Sequence, residues 1–138
     1  MKRIVLISCV SKKHHHRSKA KDLYTSPLFT MNLQYARSLI PDRIFILSAK
    51  HGLVCLDDEI DPYDETLNTK TSKEIKYWAT QVLDSLKGEI SLERDEVIFL
   101  AGDKYRKYLV PFIKNYQIPL KGLTIGKQLQ YLKGKVGS

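Results

Sequence analysis

Three stretches of the chain are apolar almost without interruption: Arg3-Ile4-Val5-Leu6-Ile7-Ser8, Arg43-Ile44-Phe45-Ile46-Leu47-Ser48 and Glu96-Val97-Ile98-Phe99-Leu100-Ala101-Gly102. Each is short, rich in β-branched residues and ended by small ones, and none alternates as a strand with one wet face would. Each therefore predicts a strand covered on both faces. Lying far apart in the chain, the three need crossover connections. Helical spacing fills the gaps. Ser26-Pro27 is an N-cap followed by proline at the first helical position, and Leu28, Met31, Tyr35 and Leu39 then recur until Pro41. Thr71-Ser72-Lys73-Glu74 has the form of a capping box and opens a stripe of Ile75, Trp78, Ala79, Val82, Leu83 and Leu86 that ends near Gly88. A third helix is expected over 104–116, with Tyr105, Tyr108, Leu109 and Phe112 on one side and Pro111 placed to kink it or start a second helix. A short fourth strand over 120–125 and a last helix over 126–132 complete the pattern.

Strands alternating with helices predict a single α/β domain over 1–138. It has three layers, about four mostly parallel strands, helices on both faces and right-handed crossovers, in the manner of Rossmann-like or uracil-DNA-glycosylase-like folds. No internal repeat or linker divides the chain.

Composition supports one self-sufficient core. The 138 residues are 43% hydrophobic and 28% charged, which excludes intrinsic disorder and calls for no metal or disulfide staple. Lys and Arg number 23 against 15 Asp and Glu, a net charge of +8 that excludes an acidic mimic of DNA. The charge is unevenly placed. Residues 1–50 hold ten basic and two acidic side chains, 51–100 hold five and twelve, and 101–138 hold eight and one. Such a basic–acidic–basic chain predicts a bipolar surface with one face suited to polyanions. Cys9 and Cys55 are too few for a disulfide framework and sit beside apolar runs typical of buried thiols. The first apolar run stops at Val10 and meets Ser11-Lys12-Lys13, which fits neither a signal peptide nor a membrane span. A cytoplasmic location and no membrane partner are expected.

In open parallel sheets ligands bind beyond the carboxyl ends of the strands, near the point where strand order reverses. That rule selects the segments after each strand: Ser8 to Tyr24, Ser48 to Asp64, and Ala101 to Arg106. The familiar motifs are missing there, with no G-x-x-x-x-G-K-[ST] phosphate loop, no G-x-G-x-x-G and no G-x-S-x-G elbow. A phosphate would instead rest on backbone N–H groups at a helix start, helped by Lys12, Lys13 or Lys50. His14-His15-His16 lacks structural-zinc spacing and reads as a solvated or phosphate-facing loop. No metal and no cofactor are expected. His51 leaves a buried strand just before a glycine, where an imidazole either serves as a general acid or braces the strand end. Asp64 closes the turn signal Asp61-Pro62-Tyr63-Asp64. It either caps that turn or orients water and steadies positive charge on a sugar. Cys9 is a nucleophile candidate beside a lysine or helix terminus, or else a packing thiol. Tyr24, Tyr63 and Tyr105 either stack on a base or cover the rim of the core.

Ser8-Cys9 with Lys13, then Asp22-Leu23-Tyr24-Thr25-Ser26-Pro27-Leu28-Phe29, Leu47-Ser48-Ala49-Lys50-His51-Gly52-Leu53-Val54 and Pro62-Tyr63-Asp64 form one pattern. Ala101-Gly102, Tyr105 and the Pro119–Leu129 positions extend it. The chain resembles uncharacterised bacterial and phage domains of about this length that carry S-C-x-x-x-K, D-L-Y-x-S-x-L-F and L-S-A-K-H-G-L. The order of a Cys after strand one, a Tyr and Ser before helix one, and a Ser…Gly-Leu-Val exit from strand two is similar to the uracil-DNA-glycosylase-like domain of archaeosine synthases. Those domains act on a modified base in transfer RNA. Asp22-Leu23 stands where that domain has a lysine next to its tyrosine, and the water-activating motif of true uracil-DNA glycosylases is absent.

These readings converge on an enzyme acting on a nucleoside or nucleic-acid base by cleaving or exchanging an N-glycosidic bond. Asp64 or Asp22 would orient water or steady an oxocarbenium-like sugar, and His51 would donate to the departing base. Lys12, Lys13 and Lys50 would hold phosphate, and Tyr24 or Tyr63 would stack on an extruded base. Cys9 completes the catalytic candidates. Ser8, Ser26, Ser48 and Tyr105 join the substrate-binding ones. Two alternatives use the same residues differently: a nucleic-acid or nucleotide-binding module without chemistry, and a phage-type protein that docks on a host protein through its acidic middle third.

Overall fold

The computed structural model describes residues 1–136. In chain order they form β1 (Arg3–Ser8), β2 (Ser18–Lys19), α1 (Ala20–Leu23), α2 (Pro27–Ser38), β3 (Arg43–Ser48), β4 (Gly52–Cys55), β5 (Glu59–Ile60), α3 (Ser72–Lys87), β6 (Glu96–Leu100), α4 (Asp103–Arg106), β7 (Asn115–Gln117) and α5 (Ile125–Val136). Short 3₁₀ turns occupy Leu67–Thr69 and Val110–Phe112.

The three apolar runs lie side by side. β1 pairs in parallel with β3 on one edge and with β6 on the other, and the five-stranded sheet runs β4-β3-β1-β6-β7. Ile4, Val5, Leu6 and Ile7 of the central strand are all fully buried, which requires both faces of the sheet to be covered. The chain leaves β1 for β3 through α2, then returns past β1 to β6 through α3. Right-handed crossovers taken in opposite directions put α2 and α3 on opposite faces. α5 packs along α2, and Tyr35 meets Tyr131 edge-on at 6.1 Å between ring centroids. The result is one three-layer α/β arrangement.

The helix starts follow the sequence closely. Ser26 caps α2, its hydroxyl accepting from the Phe29 N–H at 3.2 Å, and Thr71 and Glu74 form a reciprocal capping box on α3. All six residues of the α3 stripe are buried. On α2 the deeply buried stripe is Phe29, Asn32, Leu33 and Ala36, one position on from the expected residues. Leu28, Met31, Tyr35 and Leu39 form the half-buried flank of the same helix.

Three expectations need correction. Residues 120–125 are not a strand but a turn that leads into the last helix: Lys121 N–H donates to Ile118 O, Leu123 N–H donates to Leu120 O, and Gly122 has φ +80°. The last parallel strand is instead β7, whose three residues are exposed. The helix expected over 104–116 stops after one turn at Arg106, and Pro111 sits in the following 3₁₀ turn, where its missing N–H and fixed φ prevent continuation. The last helix is longer than expected, running from Ile125 to Val136. Two short antiparallel additions also appear: β4, hairpinned onto β3, and the β2–β5 pair. Cys9 is buried, whereas Cys55 is half-buried beside the Arg43 guanidinium at 3.8 Å.

Candidate functional site

Strand order reverses at β1, so the crevice beyond its carboxyl end is bounded by the segments that leave β1, β3 and β6. A cavity of about 780 Å³ opens there. Ser8, Cys9, Lys12 and Lys13 line it from the segment after β1, and Ser26, Leu28 and Asn32 from α2 and its cap. Asp64 and Thr66 contribute from the acidic stretch, Ala101 to Arg106 from the segment after β6, and Ile125 and Gln128 from the start of α5. The volume suits a small molecule of nucleotide size.

Behind the wall runs a chain of buried hydroxyls. The Tyr24 and Tyr63 hydroxyls share a 2.6 Å hydrogen bond, Ser48 Oγ donates to the Tyr63 hydroxyl at 2.8 Å, and Ser48 Oγ accepts from the His51 N–H at 3.0 Å. The Trp78 indole N–H donates to the Ser48 carbonyl at 2.9 Å, tying α3 to the end of β3. Burial holds the Tyr24 phenol up at about 12 and raises Tyr63 further, so both keep their protons well above physiological pH. Nearby, Tyr105 accepts from the Leu67 N–H at 3.3 Å and meets Cys9 Sγ at 3.4 Å, and desolvation likewise pushes its hydroxyl up.

Lys13 joins this layer to the cavity. Its ammonium lies 4.4 Å from the centroid of the Tyr63 ring and 5.8 Å from that of Tyr24, a cation–π arrangement over two aromatic faces. Partial burial lowers its pKa below the ordinary lysine value, and the charges of Cys9 and Asp64 offset part of that shift. The backbone fixes the position, because Lys13 bridges to Tyr24 across an antiparallel pair, with His14 N–H donating to Leu23 O and Thr25 N–H to Lys12 O.

Of the candidates, Ser8, Cys9, Lys12, Lys13, Ser26, Asp64 and Tyr105 line the cavity. Tyr24, Ser48 and Tyr63 stand behind it and support Lys13. Their rings are enclosed and their hydroxyls paired, so both tyrosines cover the core and neither offers a free face for stacking. The three remaining candidates lie outside the cavity lining, either away from this supporting layer or at its outer edge. Asp22 is exposed on α1, Lys50 is exposed in the β3–β4 turn, and the exposed His51 sets its ring edge-on to Tyr63 at 5.3 Å. His14 and His16 stack on each other at 5.1 Å in the exposed loop before β2.

Three further cavity residues carry no sequence motif. Arg106 donates to the Ala101 carbonyl at 2.6 Å, and Gln128 donates to the Leu123 carbonyl at 2.9 Å. Asn32, a polar residue in the core stripe of α2, is the third, and its place in that stripe emerges only from the structure.

No described helix is long and apolar enough to cross a membrane. No curated protein and no solved structure matches the chain significantly. The profile of the family described as "Family of unknown function (DUF6884)" matches residues 4–134, nearly all of the sequence that builds the sheet, the cavity and the hydroxyl chain behind it. The protein therefore belongs to that family.

Proposed function

We propose that the cavity binds a nucleoside or nucleotide unit and cleaves or exchanges its N-glycosidic bond. The observation that carries this reading is the meeting of Cys9, Lys13 and Asp64 at the reversal point of the sheet, with Lys13 partly stripped of water. Lys12, Lys104 and the Leu28 N–H in the first turn of α2 suit a phosphate at the rim. Hydrolysis breaks the bond between the sugar C1′ and the base nitrogen. Water supplies the oxygen to C1′ and gives its proton to Asp64, whose carboxylate also faces the positive charge developing on the sugar. The departing base takes a proton from the Lys13 ammonium, a stronger acid than an ordinary lysine because burial disfavours its charged form. In an exchange reaction a second base takes the place of water. The resemblance in motif order to the uracil-DNA-glycosylase-like domain of archaeosine synthases favours a nucleobase as the substrate, not a particular reaction.

The test incubates the purified protein with nucleosides, nucleotides and labelled single- and double-stranded oligonucleotides. Release of free base or appearance of abasic sites is the expected result. Their absence with every normal and modified base tried overturns the glycosidic reading. A binding module without chemistry is the second reading, favoured by the position of His51 outside the cavity lining. It predicts bound nucleotide, no turnover, and an Asp64→Asn variant that binds as the wild type does.

A further inference from the structure

Among the described residues three polar side chains are buried almost completely: Asn32, Ser48 and Asp95. Two are fully employed. Ser48 bonds Tyr63 and the His51 N–H, and Asp95 accepts from the N–H groups of Lys2 and Ser91. Asn32 is 4% exposed, yet its Oδ1 meets no donor. A buried amide left unpaired destabilises the fold, and in native proteins such an atom calls for a reason.

Its surroundings supply one. Asn32 occupies a core position of α2, in the stripe with Phe29, Leu33 and Ala36, where an apolar residue would pack without cost. It also lines the cavity, together with the apolar side chains of Val10, Leu100, Leu120 and Leu129. An unpartnered amide beside these apolar side chains, in a cavity otherwise lined by polar and charged groups, fits a planar heterocycle that carries a donor next to an acceptor. A turn of the amide about its Cβ–Cγ bond presents its oxygen to the N–H of the ligand and its NH₂ to the neighbouring carbonyl or ring nitrogen.

We infer that Asn32 is a specificity-determining residue that reads the hydrogen-bonding edge of a nucleobase in this cavity. The inference rests on the proposed nucleotide-binding role of the same site and adds which group selects the base. A matched pair of hydrogen bonds of this kind discriminates against a wrong base by about tenfold to a hundredfold.

The experiment titrates AMP, GMP, CMP and UMP into wild type, Asn32→Ala and Asn32→Leu by calorimetry, and measures the thermal midpoint of each protein without ligand. The wild type is expected to prefer one base. Both variants are expected to lose at least about tenfold for that base and less than about twofold for the poorest, so that the preference flattens. Asn32→Leu is also expected to raise the midpoint of the free protein, because it replaces an unpaired buried amide with a side chain of similar size. A preference that survives both substitutions overturns the inference and leaves the nucleotide reading standing. A lower midpoint for Asn32→Leu overturns it as well, by giving the amide a structural role. Failure of all four nucleotides to bind wild type overturns the nucleotide reading, and the inference with it.

Discussion

At the scale of single residues the site depends on hydroxyls that never meet solvent. Tyr63 is their junction, bonding Tyr24 and Ser48 through its hydroxyl while its ring carries Lys13 on one side and His51 at its edge. Tyr63→Phe keeps the ring but takes away the partner of two buried oxygens. The expected loss is about 1–3 kcal/mol in denaturant unfolding. The cation–π support of Lys13 survives in that variant, so nucleotide binding should fall less than stability does. Lys13 itself separates charge from proton transfer. Lys13→Arg retains a cation that gives up no proton, so the proposed reaction predicts binding within a few-fold of wild type and turnover reduced by about a hundredfold or more. In wild type, turnover should fall as pH rises through the lowered Lys13 pKa, below the ordinary lysine range, because the acid form is then lost. The neighbours that bear on this titration are Cys9 and Asp64 as charges and Tyr24 and Tyr63 as ring faces. Turnover that is unchanged in Lys13→Arg removes lysine from the chemistry.

At the scale of elements, the parts legible in the sequence are those whose burial is complete. β1, β3 and β6 are continuous apolar runs because helices cover both their faces, and α3 is announced by its capping box and a single stripe. Edge elements leave no such trace. β7 is only three residues long and exposes Asn115, Tyr116 and Gln117, while the apolar Leu120 and Leu123 that imitate a strand belong to turns that fold back on the core. β4 spans only four residues and begins at Gly52, whose φ of +72° closes the hairpin that brings the His51 N–H onto Ser48. A Cβ at Gly52 would meet Val82 at an ordinary 3.8 Å, so the cost of Gly52→Ala is conformational rather than steric. That cost should be about 1–2 kcal/mol, read as a lower denaturant midpoint with an unchanged slope. A variant as stable as wild type would mean that the turn relaxes to negative φ. The same distinction explains the site. Cys9, Lys13 and Asp64 are visible in the sequence because they come after strands or turn signals. Asn32 is hidden because the more regular apolar spacing runs along the flank of α2 and not along its core face.

At the scale of the whole molecule, titration and charge both carry consequences. Tyr24, Tyr63 and Tyr105 hold their protons to higher pH when folded than the ordinary tyrosine value of 10. Above pH 10 the unfolded chain releases protons that the folded chain keeps, so stability must fall as pH rises from 10 toward 12, by up to about 1.4 kcal/mol per pH unit for each group. Unfolding midpoints across that range check it, and Tyr63→Phe should flatten the slope. The net charge of +8 is not concentrated in the cavity. Lys12 and Lys13 from the basic start of the chain and Lys104 and Arg106 from its basic end meet Asp64, Glu65 and Asp103 at the same opening. Under the proposed function, a site of such mixed sign suits one phosphate at its rim and is ill suited to track a polyanion. Binding of a mononucleotide should therefore weaken only gently with salt, with a slope of log K against log[salt] no steeper than about −1 to −2. The remaining basic residues lie outside this opening. If they form the face predicted by the basic–acidic–basic chain, an oligonucleotide carrying the same nucleotide should show a slope several units steeper, each further phosphate contact adding about −0.7 for a single strand. Equal slopes for mononucleotide and oligonucleotide would assign the cavity to free nucleosides or nucleotides. A steeper oligonucleotide slope, with the mononucleotide competing for the same site, would assign it to a base drawn out of a strand.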